Sequence, residues 1–177
     1  HIPRERGIRI KKDIDECGLD GALEGVEGCY FHRTISRMPQ VEELKAALRE
    51  SGCAGRYDWE DDCYDFSKFY LASDGNSRCM ELFGRLKDIE VIDRGDGYYE
   101  CVPRGHSKAT AMDQVLKHYG ISKDDAYVFG DLSMFQYATN CVLMGQHSEV
   151  LVPYATFETK DVEEDGIAYA MKELGII

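Results

Sequence analysis

The chain has 177 residues, 44% of them hydrophobic and 31% charged, which suits one ordinary domain or two small ones. Lys plus Arg number 21 against 33 Asp plus Glu, so the formal charge is −12, a field that repels a phosphate backbone and argues against a nucleic-acid partner. No stretch approaches the ~18 apolar residues of a membrane span, and residues 1–10 lack the apolar core of a signal segment. The seven cysteines are odd in number and contain no CxxC pair, which predicts scattered reduced thiols in a cytoplasmic protein rather than structural zinc or a disulfide framework.

Along the chain, Gly7-Ile8-Arg9-Ile10 reads as the start of a strand, Asp13 to Gly18 as the end of a short helix, and Gly21, Gly25 and Gly28 as a loop before a strand at Cys29-Tyr30-Phe31. Pro39 suits the first turn of a helix that carries Val41, Leu44, Ala47 and Leu48 on one face and stops at Gly52. The acidic, aromatic stretch Tyr57–Asp65 reads as a solvated loop or a ligand-facing surface. Phe66 to Ala72 follows as a strand. Asn76 or Ser77 is expected to cap a helix with Met80, Phe83 and Leu86 inward. Ile89–Ile92 and Tyr98–Val102 form a hairpin about Arg94-Gly95-Asp96-Gly97. The order strand, helix, strand, helix, hairpin predicts an α+β unit with one sheet face covered by helices.

After Val102-Pro103-Arg104-Gly105, a hinge candidate, the pattern becomes α/β. A helix is predicted over 107–119, with Met112, Val115, Leu116 and Tyr119 inward and Gly120 as a left-handed cap. Short apolar strands at 126–129 and 141–144, and a brief one near 156–157, alternate with helices at 132–138, from 148, and at 162–174, the signature of a parallel sheet.

Two residues carry the chemistry. Asp131 follows Tyr127-Val128-Phe129-Gly130 at the carboxyl end of a buried strand, where ligands of open α/β sheets bind, and its carboxylate could take magnesium or cap the helix that begins at Leu132. Lys108 stands in the first turn of a helix, an unfavourable place for a cation unless an anion is bound beside it; the alternative is an ordinary solvent-facing lysine. His106 reads as a loop histidine rather than a ligand. Asp13 and Asp15 have DxD spacing, but Lys11-Lys12 precedes them instead of an apolar strand, so they do not read as a catalytic pair.

Gly105-His106-Ser107-Lys108, Tyr127 to Asp131, Val142-Leu143-Met144-Gly145 and Glu163 to Ala168 together resemble, in order, the motifs of the haloacid dehalogenase superfamily, specifically Cof-type phosphatases. The resemblance implies a HAD-like Rossmannoid parallel-sheet core, incomplete in this chain, with an inserted α+β cap domain. Residues 1–18 would be a remnant of the N-terminal core, 19–102 the cap and 103–177 the C-terminal part of the core. It further implies magnesium-dependent hydrolysis of small phosphorylated metabolites, such as sugar phosphates or flavin or pyridoxal precursors, through an aspartyl-phosphate. In that scheme Lys108 resembles the family lysine that pairs with the nucleophile and the phosphoryl oxygens, and Asp131 resembles the metal aspartate. The sequence departs from the family pattern in having no DxDxT segment before the cap, no phosphate-holding Ser/Thr after a second core strand, and no second carboxylate shortly after Asp131. A piece of a longer phosphatase is expected; the alternative is an inactive homologue that binds a small molecule or a protein.

Overall fold

The computed structural model describes residues 1–177 and divides into two compact units, 1–104 and 105–177. No helix is long and apolar enough to cross a membrane.

The first unit opens with helix α1 (Arg4–Cys17), closed by Gly18 at φ 75°. Gly7 to Ile10, expected as a strand, is therefore helix. Gly7, Ile10, Lys11, Ile14 and Cys17 are the buried positions, a three- and four-residue spacing that Lys11 disguises as polar. Strand β1 (Asp20–Gly25) follows, so the expected glycine loop is instead strand at Gly21 and Gly25. At Gly21 a Cβ would lie 1.9 Å from the Tyr70 carbonyl oxygen, so glycine is what allows the neighbouring strand to approach. The remaining elements are β2 (Gly28–Tyr30), α2 (Pro39–Glu50), β3 (Lys68–Ala72), α3 (Cys79–Arg85), β4 (Ile89–Gly95) and β5 (Tyr98–Pro103). The five strands form one antiparallel sheet in the order β2-β1-β3-β5-β4. The predicted hairpin turns at Asp96 and Gly97, both at positive φ, as a two-residue turn between twisted strands requires.

Alternation along β1 and β3 sends Leu23, Phe69 and Leu71 to one face, where they pack with Ile10 and Ile14 of α1 and Leu82 of α3. Ala22, Tyr70 and Ala72 face the other way and meet Val41, Leu44 and Leu48 of α2. Helices thus lie on both faces, not on one as predicted. On α2 the buried positions are Val41 and Lys45, while Ala47 is exposed. On α3, Arg78 rather than Asn76 or Ser77 occupies the cap position, so the helix starts one or two residues later than expected; Phe83 and Leu86 pack inward as predicted, together with Leu82, while Met80 is 83% exposed. Residues 1–18, assigned on sequence to the core, belong to the first unit through the packing of α1 on α3.

The second unit contains α4 (Lys108–Tyr119), β6 (Tyr127–Val128), α5 (Leu132–Tyr137), β7 (Asn140–Leu143), β8 (Phe157–Glu158) and α6 (Gly166–Glu173). The three strands are parallel, as the apolar runs predicted, and lie in the order β6-β7-β8. Residues 149–154 form a 3-10 turn, and Asp165 at φ 53° separates another short turn from α6, so the long final helix expected over 162–174 is broken. Val128, Phe135, Cys141 and Leu143 form the buried cluster. No residue of α4 is buried; Val115 and Tyr119, expected inward, are 54% and 69% exposed, because the sheet beside this helix is only three short strands wide.

Candidate functional site

Local chemistry fixes where Lys108 stands. Ser107 is extended (φ −149°), its Oγ accepts the Thr110 N–H at 3.2 Å, and the Thr110 hydroxyl oxygen accepts the Ser107 N–H at 2.8 Å. This reciprocal cap starts α4 at Lys108. Asp131 is set the same way on the facing segment. After β6, Gly130 allows a tight exit, because a Cβ there would lie 2.4 Å from the Met134 sulfur. Asp131 then caps α5, its Oδ1 accepting the Met134 N–H at 3.2 Å and the Ser133 hydroxyl at 2.7 Å.

The structure brings the two predicted residues together. Lys108 Nζ lies 2.9 Å from Asp131 Oδ2, with both side chains open to solvent at 67% and 44% exposure. Of the two alternatives for Asp131, the cap is realised through one carboxylate oxygen, which leaves the other directed at Lys108. Partial burial pushes the Asp131 carboxyl up, but the contacts from Lys108, Ser133 and the Met134 N–H outweigh it and hold the group below its ordinary value. It is therefore an anion at neutral pH. Ser133 is not marked by any motif in the sequence; its only signal is a short hydroxyl two residues after a capping aspartate.

Beside this pair lies an open apolar groove of about 420 Å³, lined by Met112, Val115, Leu116, Tyr127 and Val128 together with the stem of Lys108. The remaining sequence candidates lie elsewhere. Asp13 and Asp15 sit on α1 and point to different partners, Asp13 to Arg85 at 2.7 Å and Asp15 to His32 at 3.3 Å, so they form no catalytic pair. Tyr57–Asp65 belongs to the first unit, where Trp59 and Tyr64 are buried and the carboxylates of Asp58 and Asp61 hold Arg33.

Whether a hard cation fits follows from the donors. No group of three or more His, Cys, Asp or Glu side chains is placed as a metal cage. Asp131 does offer one ionised, solvent-facing oxygen, and magnesium is commonly held by one or two carboxylates completed by phosphate and water. One ionised, solvent-facing carboxylate oxygen is compatible with magnesium in that sparse sense.

A family model described as haloacid dehalogenase-like hydrolase matches residues 1–171. A Streptococcus pyogenes protein provisionally named a bifunctional phosphatase/peptidyl-prolyl cis-trans isomerase is 36% identical over 99% of this chain and 37% of its own length. A Bacillus subtilis protein provisionally named phosphatase YkrA is 42% identical over 55% of this chain and 39% of its own length. A haloacid dehalogenase-like hydrolase from Bacteroides thetaiotaomicron superposes with a TM-score of 0.76 at 20% identity, covering 98% of this chain and 67% of that one. With its parallel α/β segment and matching motif order, the chain belongs to the haloacid dehalogenase-like hydrolases. It spans less than two fifths of the length of these two curated relatives.

Proposed function

We propose that this chain supplies the phosphoryl-binding and cation-binding part of a phosphatase that acts on small phosphorylated metabolites. The observation that carries the proposal is the Lys108–Asp131 pair, a cation and an ionised carboxylate 2.9 Å apart at the start of two helices in a hydrolase of this family. Lys108 is mobile enough to exchange Asp131 for a phosphoryl oxygen, since its stem is exposed and its Nζ has no other partner than that carboxylate. Ser133 and the Met134 N–H keep the carboxylate in place during that exchange by holding Oδ1. Asp131 Oδ2 is the atom that would hold magnesium, which when bound offsets charge between carboxylate and phosphate. Neither residue is assigned the attack on phosphorus: the 177 residues contain no DxDxT segment, and Asp13 and Asp15 are helix-bound and paired.

The test is magnesium-dependent release of phosphate from a panel of phosphomonoesters by the protein as expressed from its gene. Lys108→Ala and Asp131→Asn are each expected to lower kcat/KM by roughly 10²-fold or more, the usual effect of removing one preorganised charge-stabilising group. Equal activity in wild type and Lys108→Ala would overturn the proposal, as would an absence of turnover across the panel.

A further inference from the structure

A separate cleft in the first unit has the features of a ligand site. It measures about 370 Å³, the scale of a small-molecule pocket, and lies where the β1–β2 turn, the start of α1 and residues 56–67 meet. Its floor is aromatic. Tyr30 stacks on Tyr64 at 3.8 Å, and Tyr57 lies nearly parallel to Tyr64 at 6.2 Å. Glycines make the slot for the first ring: a Cβ at Gly55 would fall 2.4 Å, and one at Gly25 2.9 Å, from the Tyr30 ring. Tyr30 is 2% exposed, yet it lines the cleft and its hydroxyl has no hydrogen-bond partner in the protein, whereas the Tyr64 hydroxyl donates to the Trp59 carbonyl at 3.1 Å. The hydroxyl oxygen opens on the cleft and is free to donate to or accept from a bound molecule.

Two arginines stand at the rim. Arg4 donates through Nε to Asp65 at 3.1 Å, and Arg56 Nε faces Glu27 at 3.6 Å. In each case the carboxylate engages the Nε edge, and the terminal N–H fork has no protein acceptor. Arg56 also lies over the Tyr57 ring, 4.7 Å from its centroid. Both forks are open to solvent, on side chains 51% and 70% exposed, and a guanidinium fork is shaped for two oxygens of one anionic group.

We infer that this cleft binds a small aromatic anion, with its flat ring against Tyr57 and its carboxylate or phosphoryl oxygens on the forks of Arg4 and Arg56 and the Tyr30 hydroxyl. The anion must be captured locally, since the chain as a whole is acidic. Benzoate and phenylphosphonate are the probes, titrated into the 177-residue chain and followed by amide chemical shifts. Cyclohexanecarboxylate and inorganic phosphate are the non-aromatic controls.

At least one aromatic probe is expected to shift Gly25, Gly55 and Arg56 with a Kd of about 1 mM or tighter, and both controls to bind about tenfold more weakly. Whichever aromatic probe binds identifies the anionic group. Arg56→Ala should weaken binding about tenfold, Arg56→Lys nearly as much because the fork is lost, and Tyr30→Phe about threefold. Arg56 is 70% exposed, so its replacement leaves the fold intact. Non-aromatic controls that bind as tightly, affinity unchanged in Arg56→Ala, or no shift in the cleft with either aromatic probe would overturn the inference.

Discussion

His32 shows how much a single side chain can organise in this protein. Its ring stacks on Trp59 at 4.4 Å, Nδ1 faces Glu60 at 3.1 Å, and Nε2 faces Asp15 at 3.3 Å and Asp20 at 3.9 Å. Burial pushes the imidazole pKa down, but the contacts with Asp15, Glu60 and Asp20 outweigh it and leave the group above its ordinary value. The fold therefore favours the protonated ring. The stability this provides is complete below the unfolded pKa of about 6.5 and is lost as pH rises through the higher folded value. Wild type should lose more stability than His32→Gln between about pH 6 and pH 9 in urea melts; parallel curves would show that the cluster does not couple protonation to folding. Lys11 is a second such residue, with 8% of its side chain exposed and its ammonium donating to the Trp59 and Asp61 carbonyls and to Asp62 at 2.7, 2.8 and 2.7 Å. Lys11→Ala strands two carbonyls and should cost about 3 kcal/mol, read as a lowered urea midpoint at unchanged slope.

At the scale of elements, the helix starts decide where chemistry is placed. Ser107 and Thr110 satisfy each other's backbone N–H groups and so fix Lys108 as the first residue of α4. Ser107→Ala should destabilise the second unit by about 1 kcal/mol, and should also reduce activity through the displaced lysine. A variant with normal activity would separate the cap from the site. The same elements show what could be read beforehand. Lys108 and Asp131 were legible because each borders an element whose end the sequence marks, Gly120 closing α4 and Gly130 preceding α5. Helix α1 was not, because its apolar face includes a lysine whose ammonium is satisfied by two carbonyls and balanced by the Asp62 carboxylate, all about fifty residues away. Nor was the tyrosine cleft, assembled from residues 4, 30, 56, 57 and 64 by a sheet register that local spacing does not encode.

For the whole molecule, the two units differ in how much core they possess. The first buries two clusters against a five-stranded sheet, including Trp59, Phe69, Leu71 and Leu82. The second has four buried residues in its cluster and strands of two to four residues. Burial sets local stability, so amide protons of 105–177 should exchange faster than those of β1, β3 and β5. Val128→Ala should accelerate exchange in the second unit alone, whereas equal protection across both units would mean that the small cluster is not what limits stability there. The parallel pairing of these strands was foreseeable from short apolar strands alternating with helices, and the family from the resemblance of the motifs at 105–108, 127–131, 142–145 and 163–168; the exposed face of α4 was not, since periodicity marks an apolar face without saying what covers it.

A phosphoryl-binding site at Lys108 and Asp131 should show itself when the 177-residue chain is titrated with inorganic phosphate and magnesium. Amide signals of residues 107–108 and 131–133 should shift together at millimolar phosphate, and Lys108→Ala should weaken the response by about tenfold or more. Shifts confined to other regions, or a response unchanged in Lys108→Ala, would mean that this pair does not bind phosphate.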